Sequence, residues 1–277
     1  MNLQLAARIR VAYKILTIVV AMCEHTILGW TELEDELEAW RASETCATFW
    51  WRDDDATRPG PKLDRLIETA AGVPVALAVI PAQATDDLFY WVHRQTGISV
   101  LQHGYTHISH APAGAKKSEF CDDRPLSEML TEICSGRALL NSLFGNHFLP
   151  VFVPPWNRHS ITLTGSLQAQ GFLGLSASGP RRRDRAIPIQ NCHADPIAWR
   201  GNRGFVGESV ILGQIIGHLS ARRTGQVDAM EATGLLTHHS DHDGAGWHFL
   251  SDFVRVISEH PAASWISTEM AFSSTRQ

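Results

Sequence analysis

Eight short apolar runs, each set off from the next by a stretch of helical periodicity or loop, constrain the fold of this chain more than any other feature. The runs are 46–52 (CATFWWR), 74–80 (PVALAVI), 98–102 (ISVLQ), 149–153 (LPVFV), 172–176 (FLGLS), 189–193 (IQNCH), 234–238 (GLLTH) and 264–267 (SWIS). Helical patterns fill 61–71, 85–96, 126–143, 160–170, 208–223 and 247–260. The runs are continuously apolar rather than alternating, which is the pattern of strands covered on both faces. Strands that alternate with helices build βαβ units and a parallel sheet. The expected fold is therefore α/β, a distorted (β/α) barrel of seven or eight parallel strands over residues 46–277. An open doubly wound sheet is the competing architecture, but no G-x-G-x-x-G follows the first run. Residues 1–45 read as an N-terminal helical extension, with 30–42 (WTELEDELEAWRA) an amphipathic helix packed across the bottom or side of the barrel.

Composition narrows the class of partner. Of 277 residues, 44% are hydrophobic and 19% charged, so the chain folds. A net charge of −5 leaves no basic excess to neutralise a phosphate backbone, and no nucleic-acid partner is expected. The five Cys include no C-x-x-C pair, which argues against a disulfide framework and a thiolate zinc site and favours a cytoplasmic setting. Residues 8–23 place Arg8, Arg10 and Lys14 before an apolar run from Ile15 to Cys23. That run is too short to span a bilayer, so no membrane span is expected. A soluble helix is the main reading, and a targeting segment that secretes or attaches the chain is the alternative.

Reactive groups of such barrels gather where the strands end. The first run ends in Arg52-Asp53-Asp54-Asp55, the third in His103-Gly104-Tyr105-Thr106-His107, the fourth in Val153-Pro154-Pro155-Trp156-Asn157. The sixth ends in His193-Ala194-Asp195 and the seventh in Thr237-His238-His239. Three adjacent carboxylates repel unless a cation sits among them. His103-x-x-x-His107 puts two imidazoles within reach of one ion, and Gly104 lets the chain bend directly after the strand. Two His and one Asp with open positions make a catalytic metal site, with Zn²⁺ first and Co²⁺, Ni²⁺ or Mn²⁺ as alternatives. A shared cation requires the Asp55 carboxylate to lie within about 6 Å of both rings. Trp50, Trp51, Trp156 and Trp199 are placed around the mouth, where aromatic walls suit sugar rings. Ser240-Asp241-His242-Asp243 reads as a solvated loop.

This order of motifs resembles the polysaccharide deacetylases, carbohydrate esterase family 4 with its NodB homology domain, over about residues 46–270. The resemblance implies a distorted (β/α) barrel and hydrolysis of an N-acetyl group from an amino sugar or related small amide, with a divalent metal. It implies Asp54 as general base, Asp55, His103 and His107 as metal ligands, and the Trp156 N–H as a contact for the oxyanion. His238 would be the catalytic acid, oriented by Asp195, and Asp53 is an alternative for the base by a shift of one. The chain departs from the family at Val153, where an Arg holds the base, so Arg52, Arg158 or Arg200 would have to replace it. A catalytically inactive glycan-binding barrel is one alternative. Another is an Fe(II) oxygenase using His193, Asp195 and a later His, which expects an antiparallel fold.

Overall fold

The computed structural model describes residues 28–181 and 187–273, so the segment 8–23 lies outside the described residues. Helix α1 (Trp30–Ala42) precedes strand β1 (Ala47–Ala56), helix α2 (Pro61–Ala70), strand β2 (Val75–Val79) and helix α3 (Asp86–Val92). Strand β3 (Ile98–His103), helix α4 (Leu126–Phe144), strand β4 (Phe148–Val153), helix α5 (Ile161–Leu167) and strand β5 (Gly174–Leu175) follow. Helix α6 (Glu208–Arg223), strand β6 (Thr233–Thr237), helix α7 (Gly244–Glu259), strand β7 (Ala263–Trp265) and helix α8 (Thr268–Ser273) complete the described chain.

The strands lie in the order β5-β4-β3-β2-β1-β6, with β7 paired to the start of β1, and every pairing of these strands is parallel. The sheet curls into a barrel whose seam runs between β5 and β6. Residues 188–194 occupy that seam. Leu175 bridges Ile189 on one side, Ala194 bridges Leu235 on the other, and the Gln190 N–H donates to Leu175 O while Leu236 N–H donates to Ala194 O. The sixth apolar run is thus an irregular segment that hydrogen-bonds to both edges rather than a regular strand.

Period-two alternation sends side chains to two cores. Trp50, Ala76, Ala78, Leu101, Val151 and Leu236 fill the barrel interior. Phe49, Trp51, Leu77, Val100 and Leu235 face outward onto the helices, where Leu33, Leu37 and Trp40 of α1 join Ile211, Ile215 and Leu219 of α6. Helix α1 therefore packs on the side of the barrel, pinned further by Arg223 of α6 to Glu36 at 2.8 Å. Trp50 and Trp51 are fully buried, which corrects their expected place at the mouth. Their indole N–H groups donate to Asn191 O and to Thr237 Oγ1. The segment after β6 is also more ordered than a solvated loop: His242 is buried, and Asp243 caps α7 by accepting from the Gly246 N–H at 2.8 Å. Among the described residues no helix is long and apolar enough to cross a membrane.

Candidate metal centre and its surroundings

The three adjacent carboxylates at the end of β1 point three ways. Arg52 and Asp54 are two apart on a strand and share the inner face, while Asp53 faces outward. The β1–β2 register slips between Asp53 and Ala56, and Asp55 has φ +70°. This local bulge turns Asp55 toward β3. Its Oδ1 stands 3.1 Å from His103 Nε2 and 3.3 Å from His107 Nε2.

The loop between the two His is built around Glu119, a residue that no motif singles out. This fully buried carboxylate accepts from the N–H groups of Tyr105, Thr106 (2.7 Å) and His107 (3.2 Å) and from Thr106 Oγ1. Gly104 has φ +57°, and a Cβ there would overlap Glu119 Oε2 and stand 2.5 Å from Pro155 Cγ. Glycine is the residue that admits both the turn and the carboxylate. His107 itself adopts φ +62°, held by the same acceptor.

The donor set fits a cation. His103 Nδ1 lies 3.1 Å from Val153 O, so the ring proton belongs on Nδ1 and the Nε2 lone pair faces Asp55. Asp55 Oδ1 is buried without a hydrogen-bond donor. Two lone pairs 3.1 Å apart repel unless a positive charge joins them. Burial opposes charging His103, but the Asp54 charge and the Asp55 contact outweigh it and raise its pKa. Burial would raise Asp55, yet its contact with His103 and the charges of His103, His238 and His107 hold it far below the carboxylate range. Burial and the His103 charge lower His107, leaving that ring neutral near pH 7 and free to bind a metal. Asp55, His103 and His107 could thus hold one divalent ion.

A second cluster, His193, His218 and Glu231, brings its atoms equally close but does not fit a metal as arranged. His193 Nδ1 accepts the Gly234 N–H at 2.9 Å, so the neutral ring carries its proton on Nε2, facing Glu231 Oε1 at 3.2 Å. Glu231 also accepts from the Arg181 N–H. Glu231 is thus engaged by His193 and Arg181, while His218 Nε2 stands 3.8 Å from it without a hydrogen bond, and His193 belongs here rather than at the mouth.

Asp54 is buried beside the centre and gripped by Arg52, with Nε to Oδ1 at 2.9 Å and Nη2 to Oδ2 at 3.1 Å. Arg52 is itself fixed by Ser176 Oγ (2.6 Å), Ala177 O and Asn157 Oδ1 (2.7 Å). Of the three arginines weighed against Val153, Arg52 is the one that grips Asp54. Asp53 takes neither place: its carboxylate accepts from Thr237 Oγ1, from the His239 N–H and from His239 Nδ1.

Trp156 closes one side. Its ring lies 4.5 Å from that of His107, and its backbone has φ +56°, followed by Asn157 at φ +55°. Among the described residues the Trp156 N–H meets no acceptor. On the other side, the charge of His238 bears on both Asp55 and Asp195. Asp195 does not hydrogen-bond to His238. Its oxygens accept from the Ile197 N–H at 2.9 Å and from Trp199 Nε1 at 2.7 Å. The half-exposed Trp199 ring packs edge-on against His238 at 4.6 Å, so the expected direct link runs through an indole. Burial raises the Asp195 pKa, and His238 pulls it back.

No protein-family model matches the chain, and no curated protein matches it in sequence. Solved structures do match in shape. A protein designated a polysaccharide deacetylase from Mycobacterium smegmatis is similar at TM-score 0.57 and 14% identity, over 84% of this chain and 91% of that one. The Bc1960 peptidoglycan N-acetylglucosamine deacetylase is similar at TM-score 0.52 and 14% identity, over 84% and 95%. A family 4 acetyl xylan esterase from Clostridium thermocellum, in complex with a cobalt ion, is similar at TM-score 0.50 and 12% identity, over 82% and 90%. At these identities the likeness is one of architecture, and the chain has the fold of the family 4 polysaccharide deacetylases.

Proposed function

We propose that this protein is a metal-dependent hydrolase that removes an acyl group from the nitrogen of an amino sugar. The observation that carries the reading is the set of inward-facing lone pairs on Asp55, His103 and His107 within one contact of a buried, clamped Asp54. A divalent ion held by those three residues would lower the pKa of a bound water and polarise the acyl carbonyl.

In this reading Asp54 takes the proton of the attacking water, with Arg52 keeping its carboxylate in place. The new C–O bond leaves negative charge on the carbonyl oxygen, and the unpaired Trp156 N–H is available to donate to it. Protonated His238 gives its proton to the nitrogen as the C–N bond breaks, because an amide anion is a poor leaving group. Acetic acid and a free amine result, the acid then losing its proton to solvent as acetate, and the proton on Asp54 returns to His238 through solvent. The Trp156 and Trp199 rings suit the faces of a sugar ring.

Two rival readings are less well supported. The inactive glycan-binding barrel was motivated by the missing Arg, and the grip of Arg52 on Asp54 speaks for an active site instead. The Fe(II) oxygenase needs an antiparallel fold, and here every strand pair is parallel, with His193 and Asp195 engaged by different partners. Incubation of the Zn²⁺- or Co²⁺-loaded protein with chitin oligomers and peptidoglycan fragments tests the reading. Release of acetate that stops on chelation supports it. Tight oligomer binding without acetate release sinks it in favour of the binding barrel, and consumption of 2-oxoglutarate favours the oxygenase.

A further inference from the structure

Asp53 has no part in the chemistry outlined above, yet it is fully buried and makes three hydrogen bonds at the end of β6. The β1–β6 ladder ends at the pair Asp53 and Thr237. Beyond it, the His239 N–H turns to the Asp53 carboxylate at 2.9 Å instead of a backbone carbonyl. His239 Nδ1 meets the other oxygen at 2.5 Å, and Thr237 Oγ1 donates at 2.7 Å while accepting from Trp51 Nε1. The residues on both sides of His238 are thus fixed to β1 by one carboxylate.

His238 needs that support. Its Nδ1 is buried with no hydrogen-bond partner among the described residues, and its imidazole is otherwise held by the edge of Trp199. Its aim is set by its backbone rather than by a hydrogen bond to its ring. Thr237 and His239 turn to Asp53, while His238 between them lies against Trp199 at the mouth.

We infer that Asp53 is a positioning residue: through Thr237 and His239 it aims the imidazole of His238 at the departing nitrogen. The inference rests on the hydrolase reading above. It makes a distinction that loss of stability cannot imitate. An amide needs a proton on its leaving nitrogen, whereas a 4-nitrophenyl ester expels a phenolate that leaves as the anion. A misaimed His238 slows the first reaction and spares the second.

The experiment compares Zn²⁺-loaded wild type, Asp53→Asn and His238→Ala on a chitin oligomer and on 4-nitrophenyl acetate. Rates of the chelated protein are subtracted, and bound Zn²⁺ is measured for each variant. For Asp53→Asn we expect kcat on the oligomer to fall by about tenfold or more with KM little changed, approaching the larger loss in His238→Ala, where a general acid typically contributes about 10²–10⁴-fold. The ester rate should fall by less than about threefold on the same reasoning, with Zn²⁺ content retained. Equal losses on both substrates, or no loss on the oligomer, overturn the positioning role and leave the hydrolase reading standing. If metal-loaded wild type hydrolyses neither substrate, the hydrolase reading falls and the inference with it. Should Asp53→Asn fail to fold, Thr237→Val removes one of the three bonds at nearly constant shape, together with the acceptor of Trp51 Nε1. It must then show the same amide-selective loss, and an unselective one overturns the inference.

Discussion

Replacing Arg52 by Met tests how the buried pair at the centre is held. The guanidinium and the Asp54 carboxylate are both out of contact with solvent, joined by two hydrogen bonds and backed by Ser176, Ala177 and Asn157. Removing one partner of such a pair strands the other charge, which costs about 3–5 kcal/mol. For a chain of this size each kcal/mol is worth roughly 2–4 °C, so Tm should fall by on the order of 10 °C. Removing both charges with Arg52→Met and Asp54→Leu leaves no orphan, and the double variant should recover part of the loss. The assay is thermal unfolding of wild type, both single variants and the double variant, with bound metal measured in each. We expect a coupling of about 2 kcal/mol or more, within the range for contacting residues. Metal content should be retained in Arg52→Met, because among the described residues no hydrogen bond or ion pair joins Arg52 to Asp55, His103 or His107. Costs that add to within about 0.5 kcal/mol would show that the two side chains do not act as a pair, and the clamp argument would fail.

Asp54→Asn should keep the metal and lose turnover by about 10²-fold or more, the scale of a general base; unchanged turnover at full occupancy removes Asp54 from that role. His103→Ala should bind no Zn²⁺ after dialysis, and elemental analysis showing one equivalent excludes the ligand set. The buried Glu231 cluster sets an acid limb on stability. Burial lowers His218 from 6.5 to about 4, and the close approach of His193 and His218 outweighs burial to lower Glu231 from 4.5 to about 2. In both cases the unfolded chain takes up a proton that the folded chain refuses, so stability is lost as pH falls, from 6.5 toward 4 for His218 and from 4.5 toward 2 for Glu231. Denaturant midpoints of wild type and His218→Gln between pH 7 and 4 check this: the slope should flatten in the variant, and parallel curves refute the assignment.

The fold was legible because burial on two faces writes itself as uninterrupted apolar runs. Each run from 46–52 to 264–267 lies at a strand or, for 189–193, at the seam segment. That exception pairs only through isolated bridges, with Leu175 and Ser178 on one side and Leu235 on the other. Arg52 was legible in principle, since residues two apart on a strand share a face and Arg158 and Arg200 have no such relation to Asp54. The same rule turns Trp50 and Trp51 into opposite cores, which reading them by their nearness to the Asp run overlooked. Glu119 was not legible. It acts on backbone N–H groups 12 to 14 residues earlier, and backbone donors leave no mark on side-chain chemistry. Nor does sequence predict that Asp195 reaches His238 through an indole, because that depends on a turn between Asp195 and Trp199.

Asp55, His107, Trp156 and Asn157 all sit in the left-handed region of backbone space. Non-glycine residues there each forgo on the order of 1 kcal/mol or more that glycine would recover. A library of this gene sorted for heat resistance alone should therefore accumulate glycine at Asp55, His107 and Trp156, though not at Asn157, whose Oδ1 holds the buried Arg52, and grow hardier as it goes blind to its substrate. The same library sorted for catalysis should keep them and find its stabilising changes elsewhere.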